Sequence, residues 1–180
     1  MFRSKAVKFA AILGALALVG CSTTPIGPVT SSEGEPVLLS RASRGGAGAA
    51  SPVNLYAEQW MSAATGGQLV LLDVVLDVPP AAVASDTLFS IFIPDDEVFY
   101  NEFGTSGLVF DVPVTLTMSY RDAELTGIDQ STIRIAWRND AADTWENVEC
   151  ALDQVNQTVT AQLDHFSAYG LISDAKSGGE

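Results

Sequence analysis

The strongest constraint on this chain is a side-chain period of two that recurs through its second half. Val114, Leu116, Met118 and Tyr120 alternate with Thr115, Thr117 and Ser119. Ile133, Ile135 and Trp137 alternate with Arg134 and Ala136, and Val159, Ala161 and Leu163 with Thr160 and Gln162. Successive side chains of a strand point to opposite faces, so these segments bury one face and wet the other, whereas a helix would scatter the same residues around its axis. They predict half-buried strands of an antiparallel sheet. Longer apolar runs at Leu69–Val78 and Leu88–Ile93 predict central strands.

Turn chemistry punctuates the runs at Thr65-Gly66-Gly67, Pro79-Pro80, Pro94-Asp95-Asp96, Gly104-Thr105-Ser106-Gly107, Thr126-Gly127 and Asp153-Gln154-Val155-Asn156. Ala81–Ser85 and Asp122–Thr126 have room for one helical turn each, too short to be stable alone. Eight or nine short strands within about 120 residues predict an all-β fold, an antiparallel two-sheet β-sandwich. No period of solenoid or propeller length is present.

The N-terminus carries an address. Arg3, Lys5 and Lys8 form a basic region, and Phe9–Val19 an apolar run too short to span a bilayer as a helix. The run ends in Leu18-Val19-Gly20-Cys21, which resembles the lipobox of bacterial lipoproteins: an apolar residue, two compact ones, then the Cys that is acylated before cleavage. The resemblance implies export, a signal peptide over residues 1–20, and a lipidated Cys21 that anchors the chain without spanning the membrane. Ser22 after the Cys resembles an outer-membrane sorting signal if the source is Gram-negative. From Ser22 to Pro52 the composition turns to Ser, Thr, Gly, Pro and Ala, including Gly45-Gly46-Ala47-Gly48. Residues 21–52 therefore read as lipidated Cys and flexible linker, whose roughly 30 residues would span on the order of 30 Å as a coil. Val37-Leu38-Leu39 is an apolar island within it, either an edge strand or a signal for sorting or partners. The sandwich is expected over 53–173 and a disordered tail over 174–180.

Charge then removes whole classes of function. The chain holds 9 basic and 22 acidic residues, net −13, and three of the basic ones precede Cys21, so the processed chain carries six against 22, net −16. Such a surface repels phosphate backbones, which excludes nucleic-acid partners. Cys21 and Cys150 are the only cysteines and His165 the only histidine, so no Cys/His metal set can form. With Cys21 lipidated, Cys150 has no disulfide partner and reads as a buried, inert thiol in phase with Val148 and Leu152. No cofactor motif occurs: Gly45–Gly48 lacks the flanking strand, helix and Lys of a phosphate loop.

Within the sandwich region the order of motifs is specific. Gly66-Gly67-Gln68-Leu69, Pro79-Pro80-Ala81-Ala82, Asp86-Thr87-Leu88 and Phe110-Asp111-Val112-Pro113-Val114 are followed by Ser119-Tyr120, Ile133-Arg134-Ile135-Ala136-Trp137 and Trp145-Glu146-Asn147-Val148. Asn156-Gln157-Thr158-Val159 and Asp164-His165-Phe166-Ser167-Ala168-Tyr169 close the series. Together, over roughly Val53 to Ile172, they resemble the ZU-five (zona occludens and uncoordinated-five) β-sandwich family. The resemblance implies a module for protein contacts with no general enzymatic activity.

It also implies one exception, since some members cut themselves within His-Phe-Ser, here between Phe166 and Ser167. In that reaction Ser167 Oγ attacks the Phe166 carbonyl, an N-to-O acyl shift forms an ester, His165 helps move protons, and water completes hydrolysis. The bland alternative is packing. In a regular strand His165 and Ser167 share the inward phase of Leu163, while Phe166 falls on the opposite phase and needs a bulge or a sheet crossing to be buried. A third reading is glycan binding by Trp60, Trp137 and Trp145 on one sheet face, although Trp137 shares the phase of Ile133 and Ile135 and reads as core. The leading expectation is a lipid-anchored module that meets a membrane through Cys21 and an envelope or surface protein through its sandwich.

Overall fold

The computed structural model describes residues 36–42 and 55–175. The expected signal segment, the lipobox-like motif with Cys21, the rest of the expected linker, residues 53–54 and the tail from Lys176 lie outside the described residues. Twelve strands follow in order: β1 (Val37–Leu38), β2 (Leu55–Met61), β3 (Gly67–Leu71), β4 (Val74–Val78), β5 (Thr87–Ile93) and β6 (Tyr100–Gly104). They continue with β7 (Val109–Ser119), β8 (Arg134–Asn139), β9 (Thr144–Asn147), β10 (Cys150–Asp153), β11 (Thr158–His165) and β12 (Ala168–Ser173). One sheet has the order β2-β5-β6-β12-β8-β9, with β1 also pairing β12, and the other the order β10-β11-β7-β4-β3. Every pairing is antiparallel, so the fold is the expected all-β two-sheet sandwich.

The period of two explains the core. Val114, Leu116 and Met118 of β7 and Val159, Ala161 and Leu163 of β11 point inward from the smaller sheet. Phe89, Ile91 and Ile93 of β5, Phe103 of β6, and Tyr169 and Leu171 of β12 meet them from the larger one. Each of the Val, Leu, Ile, Met and Phe side chains among them contributes about 1.5–3 kcal/mol by leaving water. The alternate residues stay outside, where Thr117 pairs its hydroxyl with that of Thr160 across the β7–β11 ladder at 3.1 Å.

Three expectations change. Leu69–Val78 is a hairpin, not one strand: β3 and β4 pair with Leu71 opposite Val74, and Leu72 takes a left-handed φ of 50° at the turn. The count rises accordingly from the expected eight or nine strands to twelve among the described residues. The one helical turn of the described residues is a 3-10 turn at Gln130–Thr132, capped by the Asp129 side chain on the Ser131 N–H, and neither Ala81–Ser85 nor Asp122–Thr126 is helical.

Residues 36–42 of the expected linker lie in the fold, and of the two readings of Val37-Leu38-Leu39 the strand is the one seen, with β1 pairing β12. Leu39 donates its N–H to the Leu171 carbonyl at 2.9 Å and accepts from Phe99 at 3.0 Å, and its side chain is 1% exposed. The Arg41 and Ala42 N–H groups donate to the carbonyls of Glu97 and Asp122, each at 2.7 Å. The Arg41 guanidinium lies 4.2 Å from the centre of the Phe99 ring, takes both Asp73 oxygens at 2.9 and 3.1 Å, and also reaches the Val98 carbonyl. Asp73 sits in the β3–β4 turn, so this strap ties the two sheets together at one end. Burial pushes the Asp73 carboxyl above the usual carboxylate range, against the opposing pull of Arg41. The chain beyond β12 is likewise engaged: Asp174 pairs with Arg134 at 3.0 Å and Ala175 bridges Ile128.

Candidate functional site

Two places carry the residues that the sequence singles out. The first is the corner where the chain leaves β11 in one sheet and enters β12 in the other. Register shifts between Leu163 and His165, so the bulge that the alternation requires is present. It turns Phe166 into the core at 1% exposure, where its ring lies 4.8 Å from both Phe89 and Phe110 and 6.0 Å from Phe103. His165 is half-buried and its ring meets Trp137 edge-on at 5.6 Å. Trp137 is therefore half-buried against the core cluster rather than enclosed within it. The Tyr169 hydroxyl donates to the His165 carbonyl at 2.8 Å, and burial, then the nearby Asp164 charge, raise its pKa far above that of a free tyrosine.

The backbone at this corner is engaged on both sides. The Phe166 N–H donates to the Leu108 carbonyl at 2.8 Å, the Phe166 carbonyl accepts from Gly107 at 3.1 Å, and the Ser167 carbonyl accepts from Phe103 at 3.2 Å. Gly107 has a φ of 78°, a conformation that glycine adopts without strain and that turns its N–H towards this carbonyl. The geometry thus combines a packing anchor, Phe166, with one N–H donor placed on the oxygen that an attack by Ser167 would charge.

The second place is the outer face of β2, an element with no plain signal in the sequence. The phase it shares with buried Met61 holds small Ala57 and polar, exposed Gln59, while Tyr56 and Trp60 stand on the outer face, so hydrophobic alternation is weak and partly inverted. Trp60 is 68% exposed and Tyr56 57%, the most exposed aromatic side chains among the described residues. Glu58 stands between them and accepts the Tyr56 hydroxyl at 2.6 Å. On the neighbouring strand Phe92, Ser90 and Leu88 lie opposite Tyr56, Glu58 and Trp60. Trp145 belongs to the other end of this face, with Tyr100 edge-on at 6.1 Å and Arg138 5.8 Å from its ring. The three tryptophans therefore do not gather into one platform: Trp137 packs on His165, Trp145 covers Gly170, and Trp60 stands at the β2 edge.

Cys150 is a free thiol that packs against the core in phase with Val148 and Leu152, but it is half-buried rather than buried as expected. It borders a shallow recess of about 400 Å³ with Arg134 and Asp174, whose charges already satisfy each other. Among the described residues no group of three or more His, Cys, Asp or Glu side chains could hold a metal ion, and no helix is long and apolar enough to cross a membrane. No family model matches the chain, and no curated protein does.

Proposed function

We propose that the chain is an exported lipoprotein, acylated at Cys21, whose acidic sandwich serves the cell envelope as a protein-binding module. The lipobox and the preceding basic and apolar regions support the anchor. The observation that supports binding is β2, a seven-residue strand at the edge of the larger sheet with Tyr56 and Trp60 standing outward. Unpaired edges invite main-chain pairing, and exposed aromatic residues are enriched where proteins meet. The resemblance to ZU-five sandwiches agrees with this reading.

Pull-down with the full-length protein from envelope extract should enrich one defined partner. Repeated failure with folded bait refutes the binding role. Substituting Cys21→Ala should release the protein from membranes, and unchanged partitioning refutes the anchor.

Self-cleavage at Phe166–Ser167 is a second reading, favoured by the Gly107 N–H already seated on the Phe166 carbonyl. Intact mass measurement decides it, since cleaved wild type beside uncut Ser167→Ala supports the reaction and uncut wild type removes it.

A further inference from the structure

We propose that β2 is the docking edge for an extended, cationic segment of the partner, which adds as a strand and places a Lys or Arg opposite Glu58. The proposal deepens the binding role and rests on it. Among the described residues no strand pairs with β2 on the side away from β5; β3 of the other sheet lies beside its C-terminal end, where Ser62 bridges Gly66, and β2 stays in strand conformation over all of Leu55–Met61. An added strand would find its backbone partners along that edge.

The side chains specify what it carries. Across a strand pair, the residue directly opposite has its Cβ about 4.5–5.5 Å away and the diagonal neighbours about 7–8 Å away, within reach of long side chains. A Lys or Arg opposite Glu58 therefore faces a carboxylate directly and the Tyr56 and Trp60 rings diagonally, a charge pair flanked by two cation–π surfaces. The Tyr56 hydroxyl, held on Glu58 Oε2 at 2.6 Å, fixes that carboxylate in place. Among the described residues no cation of this chain pairs with Glu58.

A second copy fits poorly. Antiparallel pairing of β2 with itself in full register centres on Glu58 and sets the two carboxylates against each other, which destabilises the pair. The excess of 22 acidic over nine basic residues adds repulsion between copies and attraction for a basic segment.

The test uses the full-length chain in detergent micelles and three capped, fluorescein-labelled peptides of alternating Val and Thr that differ only at the centre: Arg, Gln or Glu. Fluorescence anisotropy should place the Arg peptide about tenfold tighter than the Glu peptide, the combined size of a cross-strand charge contrast and one exposed cation–π contact. Glu58→Arg should invert the order, Trp60→Ala should weaken the Arg peptide more than the Gln or Glu peptide, and hydrogen exchange should slow along β2. Both side chains are exposed, and circular dichroism checks that the variants fold. Equal affinities, an order unchanged by Glu58→Arg, or no binding by any peptide at millimolar concentration overturns the proposal. So does protection of β2 by a neutral oligosaccharide in place of the Arg peptide. A partner still retrieved from envelope extract by the Glu58→Arg protein would leave the binding role standing and remove β2 as its seat.

Discussion

Cutting Leu39 back to alanine should destabilise the sandwich by about 3 kcal/mol, although the residue lies in a stretch whose composition is that of a linker. The substitution removes three carbons from a side chain that is 1% exposed. At about 0.8 kcal/mol per buried carbon the transfer loss is about 2.4 kcal/mol, and the cavity left behind adds to it. The strap holds its place through the bonds to Leu171 and Phe99 and through Arg41 on Asp73, so the site relaxes little and the cavity persists. For a domain of this size the loss corresponds to a fall in melting temperature of about 10 °C. Urea unfolding of the full-length protein, followed by tryptophan fluorescence, gives the free energy by linear extrapolation. Val37→Ala is the control, because Val37 is 43% exposed in the same segment and should lose less than about 1 kcal/mol. A Leu39→Ala protein within about 0.5 kcal/mol of wild type, and no worse than Val37→Ala, would refute the strap.

Stability should also fall with rising pH above about 10, because the folded state keeps the Tyr169 proton where an unfolded tyrosine loses it, at up to about 1.4 kcal/mol per pH unit. Tyr169→Phe should flatten that fall in urea midpoints measured from pH 9 to 11, and an unchanged slope counts against the burial of this hydroxyl. Asn101 is fully buried with Oδ1 unpartnered among the described residues and Nδ2 only 3.9 Å from the Met118 sulfur, so Asn101→Leu should stabilise by about 1 kcal/mol in the same assay. A clear loss would show that the amide is satisfied in solution. Gly170→Ala should cost about 1–3 kcal/mol, since the new Cβ would stand 2.9 Å from both the Phe99 carbonyl oxygen and the Trp145 ring. The Trp145 emission should shift with it, and wild-type stability with unchanged emission would refute the close packing.

Strands that bury one face of regular width were legible in advance: β7, β8 and β11 fall where the alternation sets them. The β3–β4 turn was hidden because Leu72 carries no turn signal and Asp73 stands alone within an apolar run. A subtler mark was present, since the buried phase moves from odd Leu69 to even Val74, Leu76 and Val78, as a two-residue turn demands. The corner at His165–Ser167 was half legible. Phase alone demanded a bulge if Phe166 were buried, but only the tertiary fold supplies Phe89, Phe103 and Phe110 to receive it. The strap was half legible, since Val37-Leu38-Leu39 offers an edge strand and Val37–Leu38 forms β1, whereas β2 escaped. Residues 36–42 are too few to show a period, and β2 places its large aromatic residues on the side that sequence patterning assigns to polar ones.

The strap also decides where tension would travel. Val37 pairs with Ser173, so the incoming chain at Pro36 and the outgoing chain after β12 emerge at the same pole of the sandwich. With lipid on Cys21, as proposed, fifteen residue steps lead to that pole, a reach of at most about 50 Å against more than 100 Å for a tether running to Pro52. A pull from the membrane would meet Leu39 and the Arg41–Asp73 clamp before it reached β2. Force on the anchor and occupancy of the binding edge would thus be mechanically separated, and the clamp would have to yield before one could disturb the other.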